Sequence, residues 1–422
     1  MCPARKRSPW PRGAGLTSEA DAADRLLTAA AVRERAHVLL ARAERGQSAH
    51  FTCLPERLPA ALDAVLSVMR ARYPDLAVPF HSRWRHFETG GVDRWSRLAA
   101  ALGADADERA RIRFDLVIVS VLLDAGAGPQ WAYREADGAV HTRSEGLGVA
   151  SFDLFAAGLF SADPAQPLRC DAAALAGLDA ARLGAGMQAG PGNPLIGLPG
   201  RADLLNRLGR TLAADPAHFG MPGRIGHLYD AMLRAAVHGR IAAARLLEIV
   251  LRALGPIWPG RHMLGGRALG DAWPHAAFPA GDALGGFVPL HKLSQWLTYS
   301  LIEPLEEAGI TVEALDGLTG LAEYRNGGLM LDTGLLVPRD AGLASRPLAA
   351  DAEAVVEWRA LTVALLDRVA EGLRTRLGMD ASSLPLARVL EGGTWAAGRA
   401  LARERRADGG PPLTIRSDGT LF

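Results

Sequence analysis

The sequence predicts a mainly α protein: a single large helical domain, with room for two lobes and minor β-hairpins. Three observations predict it. Apolar residues recur at spacings of three and four along most of the chain, the signature of helices with one buried face. Strands alternating with helices are missing, which argues against a parallel α/β sheet. No internal repeat, low-complexity stretch or clear linker divides residues 16–422, and residues 1–15, basic and rich in Pro and Gly, read as a disordered tail.

The elements follow in order. Thr17 to Gly46 reads as one helix, with Leu26, Ala30, Val32, Ala36, Leu39, Leu40 and Ala43 on one face and Gly46 as its stop. A second helix follows Leu54-Pro55, carries Leu58, Leu62, Val65, Leu66 and Met69 on one side, and ends at Pro74. Val78 to Gly91 is a polar-aromatic loop. Leu98 to Leu123 begins as a helix and becomes FDLVIVSVLL, where periodicity leaves buried helix and buried strand both open. Trp131 to Leu147 is turn-rich, and Val149 to Phe160 is helical. Residues 161–200 hold short helices and loops. Arg201 to Ala214, Gly226 to Val237 and Arg240 to Leu254 read as helices, and residues 255–287 as loop. Leu290 to Ala308 is an amphipathic helix that Pro304 should kink or end. Gly317 to Val337 is punctuated by glycine and has room for short strands, Ala350 to Leu377 is a long helix, and LTIRSDGTLF at the end reads as a small hairpin.

Composition bounds the function. A formal net charge of +1 over 422 residues gives no electrostatic case for nucleic acid or an anionic membrane. No run of about 18 apolar residues suggests a membrane span. Cys2, Cys53 and Cys170 are far apart and form neither a disulfide framework nor a CxxC site. With no apolar stretch in the basic N-terminus to serve as a secretory signal, the expected setting is the cytoplasm. P-loop, HExxH and GxSxG motifs are absent, and His81 and His86 lie five apart rather than four, so neither metal nor cofactor is expected.

Four segments could carry chemistry. HSRWRHF, His81 to Phe87, sets two histidines and the forks of Arg83 and Arg85 around Trp84. It suits a phosphate or carboxylate clamp, or equally a salt-bridged loop. Asp124 follows four apolar residues and precedes Gly126 and Gly128. It could bind a ribose hydroxyl, act as a base or simply cap the next turn. Arg143-Ser144-Glu145-Gly146 is a further compact polar group. In FVPLHKLSQWLTYSLIEP, Lys292, Gln295 and Tyr299 share one helix face, which would ordinarily be solvated. All but two of the 47 basic residues are arginine, however, and Lys6 lies in the tail, so Lys292 is the body's one lysine. In LAEYRNGG, Glu323 and Arg325 precede the Asn326-Gly327 pair, which reads as a tight turn. A carboxylate there could hold a developing cation or orient a water, or pin its loop through an ion pair.

The segments VPFHSRWRHF, FDLVIVSVLLDAGAG, RSEGL, VPLHKLSQWLTYSLIEP and LAEYRNGGL resemble one family, the uracil-catabolism protein four family, over roughly residues 20–420. The resemblance implies a role in dismantling uracil through its nucleotide, with release of urea-type nitrogen. The helix HKLSQWLTYSL followed by LAEYRNGG is also similar in order to the queuosine-nucleotide N-glycosidases (queuosine salvage proteins), a family that resembles helix-hairpin-helix DNA glycosylases in fold. Lys292 and Gln295 match that family's Lys-x-Ala-Gln helix, and Tyr324 and Arg325 match its Asp-Tyr-Arg segment. Glu323 stands where that family has Asp, one methylene longer, which leaves the carboxylate's role open.

These resemblances imply an N-glycosidase acting on a ring-opened uracil nucleotide, such as a ribosylurea phosphate. Glu323 would steady the sugar cation or direct water, and Lys292 would meet the phosphate or the leaving group. Gln295 and Tyr299 would position substrate, Arg83 or Arg85 would hold phosphate, Tyr324, Arg325 and His81 would also bind substrate, and Asp124 is a secondary candidate for a ribose hydroxyl. An amide C–N hydrolase of the same route and a binder that sequesters an intermediate are the alternatives.

Overall fold

The computed structural model describes residues 18–258, 262–279 and 281–416. The predicted tail lies outside them, as does most of the hairpin expected at the C-terminal end.

Among the described residues twelve helices reach eight residues: α1 Glu19–Leu26, α2 Ala29–Glu44, α3 Leu58–Arg72, α4 Ala106–Leu122, α5 Arg143–Ala156, α6 Leu198–Ala214, α7 Leu228–Ala235, α8 Ala243–Leu254, α9 Lys292–Glu307, α10 Tyr324–Asp332, α11 Glu353–Leu377 and α12 Trp395–Arg405. Strands occur only as five short pairs, four antiparallel and one parallel. The protein is mainly α, as the spacing predicts. One hydrophobic cluster extends from α2 to α12 and makes a single domain of them. No helix among the described residues is long and apolar enough to cross a membrane.

FDLVIVSVLL resolves as the buried half of α4. Every residue from Ile112 to Leu122 is buried there, so apolar side chains cover its whole circumference and the 3.6-residue period disappears. The charge on this helix is matched inside the core: Asp115 accepts from Arg224 Nε at 2.7 Å and from the Gly226 N–H at 2.8 Å. Helix α9 is the centre of the fold. It packs on α4 and α8, while α11 lies along α2 and α10 along α12.

Several local expectations are corrected. The helix expected from Thr17 to Gly46 is two, because Thr28 turns extended (φ −138°) and caps α2 by accepting the Ala31 N–H at 3.2 Å. The polar-aromatic loop contains a helical turn, Trp84–Phe87. The helix expected from Val149 starts six residues earlier, so Arg143 to Gly146 is its first turn. Arg240–Ala242 is a strand paired with Thr311–Glu313, not the start of α8. Asn326-Gly327 is no turn: both residues lie in α10, because Glu323 caps that helix.

Pro304 neither ends nor breaks α9, which continues to Glu307. A proline in a helix orphans the carbonyl four residues back. That carbonyl, on Ser300, accepts the Trp84 indole N–H at 2.9 Å. The face carrying Lys292, Gln295 and Tyr299 is likewise not solvated, since all three are buried.

Candidate active site

Two chain segments meet at one cavity of about 560 Å³, within the size range of small-molecule sites. The first is the start of α9. His291, in the left-handed region at φ +46°, turns the chain from the strand Phe287–Pro289 into the helix, and its Nε2 is 2.9 Å from the Leu26 carbonyl oxygen. Asp271 receives the incoming backbone. Its carbonyl accepts the N–H groups of Leu290 and His291, and its carboxylate accepts the Lys292 N–H at 3.0 Å. The Lys292 side chain is only 8% exposed and lines the cavity. Its ammonium lies 5.6 Å from the centre of the Trp296 ring one turn on, and makes no hydrogen bond or ion pair among the described residues. Burial pushes its pKa down, against the opposing pull of Glu323 and Asp124.

The second segment runs from Leu318 into α10. Glu323 is extended (φ −121°) and its carboxylate accepts the N–H groups of Arg325 at 2.7 Å and Asn326 at 2.5 Å. The alternative of an ion pair pinning the loop is thus replaced by a helix cap, and the carboxylate is rigid. Burial pushes the Glu323 carboxyl up, against the lowering effect of the Arg325 N–H and the Lys292 charge. Tyr324 and Arg325 line the cavity beside it.

Asp124 faces the same cavity from the end of α4. It accepts from Arg83 at 2.8 Å and from the Ser144 hydroxyl at 3.0 Å. Burial raises its carboxyl, with Arg83 and Lys292 pulling the other way.

Of the residues expected to hold substrate, Gln295, Tyr299 and Arg83 do not line the cavity. Gln295 donates to the Thr319 hydroxyl and accepts the Thr319 N–H at 3.0 Å, and the Tyr299 hydroxyl donates to the Thr319 carbonyl at 3.0 Å. Both therefore clamp the segment that carries Glu323, four residues on. Arg83 is wholly buried, bonded to Ser120, Asp124 and the Ser144 carbonyl, and so orients Asp124. His81 and Arg85 do line the cavity, but His81 Nδ1 is 2.9 Å from Glu391, and Arg85 pairs with Glu303 at 2.6 Å.

Sequence reasoning passed over other lining groups. Glu391 sits on a π-helical turn, Leu390–Thr394, and binds Arg72, Tyr73 and His81. A π-bulge leaves no periodic trace from which it could be read, although such bulges are frequent at functional sites. Trp296 counts as an apolar residue by pattern, yet its buried indole N–H has no hydrogen-bond partner among the described residues. Residues 408–415 form another wall, held by the Arg325 bond to the Gly409 carbonyl at 2.9 Å and by the Leu348 N–H to Thr414.

The family model described as "Protein of unknown function (DUF1688)" matches residues 25–422. Protein urg3 of Schizosaccharomyces pombe is 39% identical over 407 residues, covering 94% of this chain and 98% of that protein. Uracil catabolism protein 4 of Lachancea kluyveri is 37% identical over 411 residues, covering 89% of this chain and 93% of that protein. With such identity along nearly the full length of both relatives, the chain belongs to the uracil catabolism protein 4 family.

Proposed function

We propose that this protein is a cytoplasmic enzyme of uracil catabolism that hydrolyses the N-glycosidic bond of a ring-opened uracil nucleotide, a ribosylurea phosphate-like molecule. The place in uracil catabolism is supported by the name of the Lachancea kluyveri relative. The reaction is supported by one observation above all. A buried, helix-capping carboxylate, Glu323, and the body's single lysine, Lys292, line one cavity and feel each other's charge.

Breaking the bond between C1′ and nitrogen leaves positive charge on the sugar. Glu323 is the anion that would stabilise it, and its fixed position spares reorganisation as the charge develops. The departing urea nitrogen needs a proton. Lys292, made more acidic by burial, would donate it. Water then adds its oxygen to C1′, and the proton it sheds returns through Glu323 to Lys292. Asp124, held by Arg83 and Ser144, is placed to accept from a ribose hydroxyl.

The test is a mass-spectrometric turnover assay on the ring-opened products of uridine monophosphate. Free urea and ribose phosphate should appear together and vanish with Glu323→Gln. Loss of an acyl fragment with the glycosidic bond intact would make the protein an amide hydrolase. Tight binding without turnover would make it a binder.

A further inference from the structure

The charges around the cavity do not all cancel in place. Arg72 pairs with Glu391, Arg85 with Glu303, Asp124 with Arg83, and Glu145 with Arg399. Asp408 is exposed and accepts the Gly410 N–H at 2.8 Å. Lys292 and Arg325 both feel the Glu323 charge without pairing with it. Beside Lys292, two lining cations form no ion pair among the described residues, Arg143 and Arg325.

Both have groups waiting for an acceptor. Arg143 makes no hydrogen bond among the described residues, and one of its terminal nitrogens is buried without a partner. Arg325 is only 5% exposed, and its Nε is also buried and unpartnered while its NH1 is tied to Gly409. Their charges meet: burial pushes the Arg325 pKa down, Tyr324 and Glu323 pull it back, and Arg143 and Arg399 add to the lowering. Like charges are not gathered in a fold without cost unless something anionic is to lie between them.

The backbone points the same way. Arg143 opens the fourteen-residue helix α5 at φ +57°, a conformation uncommon for a residue with a side chain, and strain of this kind clusters at ligand sites. The helix N-terminus adds its own partial positive charge beside Arg143 and Ser144, both in the cavity wall.

We infer that Arg143, Arg325 and the first turn of α5 form the subsite for a phosphate monoester, the end of the substrate remote from the bond that breaks. This replaces the Arg83 and Arg85 clamp, whose guanidiniums are already neutralised by Asp124 and Glu303. It rests on the glycosidase reading only in calling that monoester the sugar 5-phosphate. A carboxylate could exploit the same cations, but guanidinium forks plus helix N–H groups together serve the three oxygens of a phosphate dianion.

Calorimetric titration of the full chain with ribose 5-phosphate, ribose and propanoate tests the inference without requiring turnover. The wild type should bind ribose 5-phosphate about ten- to a hundredfold more tightly than ribose, the gain expected of one charge-assisted bond. Arg143→Gln should erase most of that preference and leave ribose binding unchanged. The Arg143 side chain makes no hydrogen bond among the described residues, so this variant should melt with the wild type. Arg325→Gln should act in the same direction, and if it fails to fold Arg143→Gln decides alone. A wild type with no preference for the phosphorylated sugar, a preference untouched by Arg143→Gln, or equal binding of propanoate would each overturn the subsite. Urea release by the wild type is judged separately, so a glycosidase could survive the loss of this site, and the site the loss of the glycosidase.

Discussion

Arg359 grips the Asp271 carboxylate with both terminal nitrogens, each bond 2.8 Å, and donates its Nε–H to the Ala322 carbonyl at 3.1 Å. One guanidinium on α11 thereby ties the residue that caps Lys292 to the residue that precedes Glu323. The two groups assigned to chemistry come from segments about thirty residues apart in sequence, and this buried fork holds their backbones in register. Removing one partner of such a pair leaves an uncompensated charge, which costs about 3–5 kcal/mol. Arg359→Met should lower the unfolding free energy in urea by that order. Arg359→Lys, which cannot fork, should recover only part of it.

Asp271 also sets an acid limit on stability. Burial alone would push its carboxyl up, but the Arg359 charge and hydrogen bonds outweigh burial and hold it well below the usual carboxylate range. In the unfolded chain it titrates near about 3.9. The folded form binds its proton less readily, so the stabilisation is full above that value and is lost as pH falls towards the folded pKa. Urea unfolding at pH 7 and pH 3 should show a larger loss for the wild type than for Asp271→Asn, which has no such proton to bind. Equal losses would remove Asp271 from this role.

The pH dependence of turnover should be narrowed from both sides. Burial raises the Glu323 carboxyl and lowers the Lys292 ammonium. If Glu323 must be ionised and Lys292 protonated, kcat/KM falls as pH drops through the raised value and as it climbs through the lowered one. The limbs should lie closer together than the ordinary glutamate and lysine ranges. Lys292→Arg, which stays charged but cannot give up its proton, should lower kcat and leave the residual activity without the alkaline limb. Glu323→Gln should lower kcat by about 10²–10³-fold, the scale for losing one electrostatic stabiliser, while costing about 1 kcal/mol as a cap.

Trp84 and Pro304 form a pair that a double-mutant cycle can read. Trp84→Phe orphans the buried Ser300 carbonyl, at about 1–3 kcal/mol beyond the loss of ring contacts. In a Pro304→Ala background the new Ala N–H can take that carbonyl, so Trp84→Phe should cost less there. Additivity within about 0.5 kcal/mol would mean that the indole is not the substitute donor.

Gly327→Ala sets helix propensity against packing. In an open helix the change stabilises by about 1 kcal/mol. Here a Cβ would meet three atoms of the Trp358 indole at 2.6–2.8 Å, and that indole is itself bonded to the Gly327 carbonyl. Overpacking costs about 1–3 kcal/mol, so the sign should reverse and the variant should unfold at lower urea.

What the amino-acid order decided alone was local. Spacings of three and four make α2, α3, α6 and α11, since an amphipathic helix writes its period into the chain. The isolation of Lys292 and the polar blocks at His81, Asp124 and Glu323 were likewise legible, and all four line the cavity. The tertiary structure decided the rest, where a residue's role depends on a partner far along the chain. FDLVIVSVLL is a helix because protein surrounds it on every side. Asn326-Gly327 is helical because Glu323 caps it, and Pro304 is harmless because Trp84, some 220 residues earlier, supplies the missing donor. Gln295, Tyr299 and Arg83 carry the polar groups expected of a binding site, yet they spend them on Thr319 and Asp124. Among the arginines that line the cavity, Arg143 and Arg325 stand apart by forming no ion pair among the described residues. Which cation is neutralised and which is left free depends on carboxylates brought near by folding, and no run of neighbouring residues encodes that.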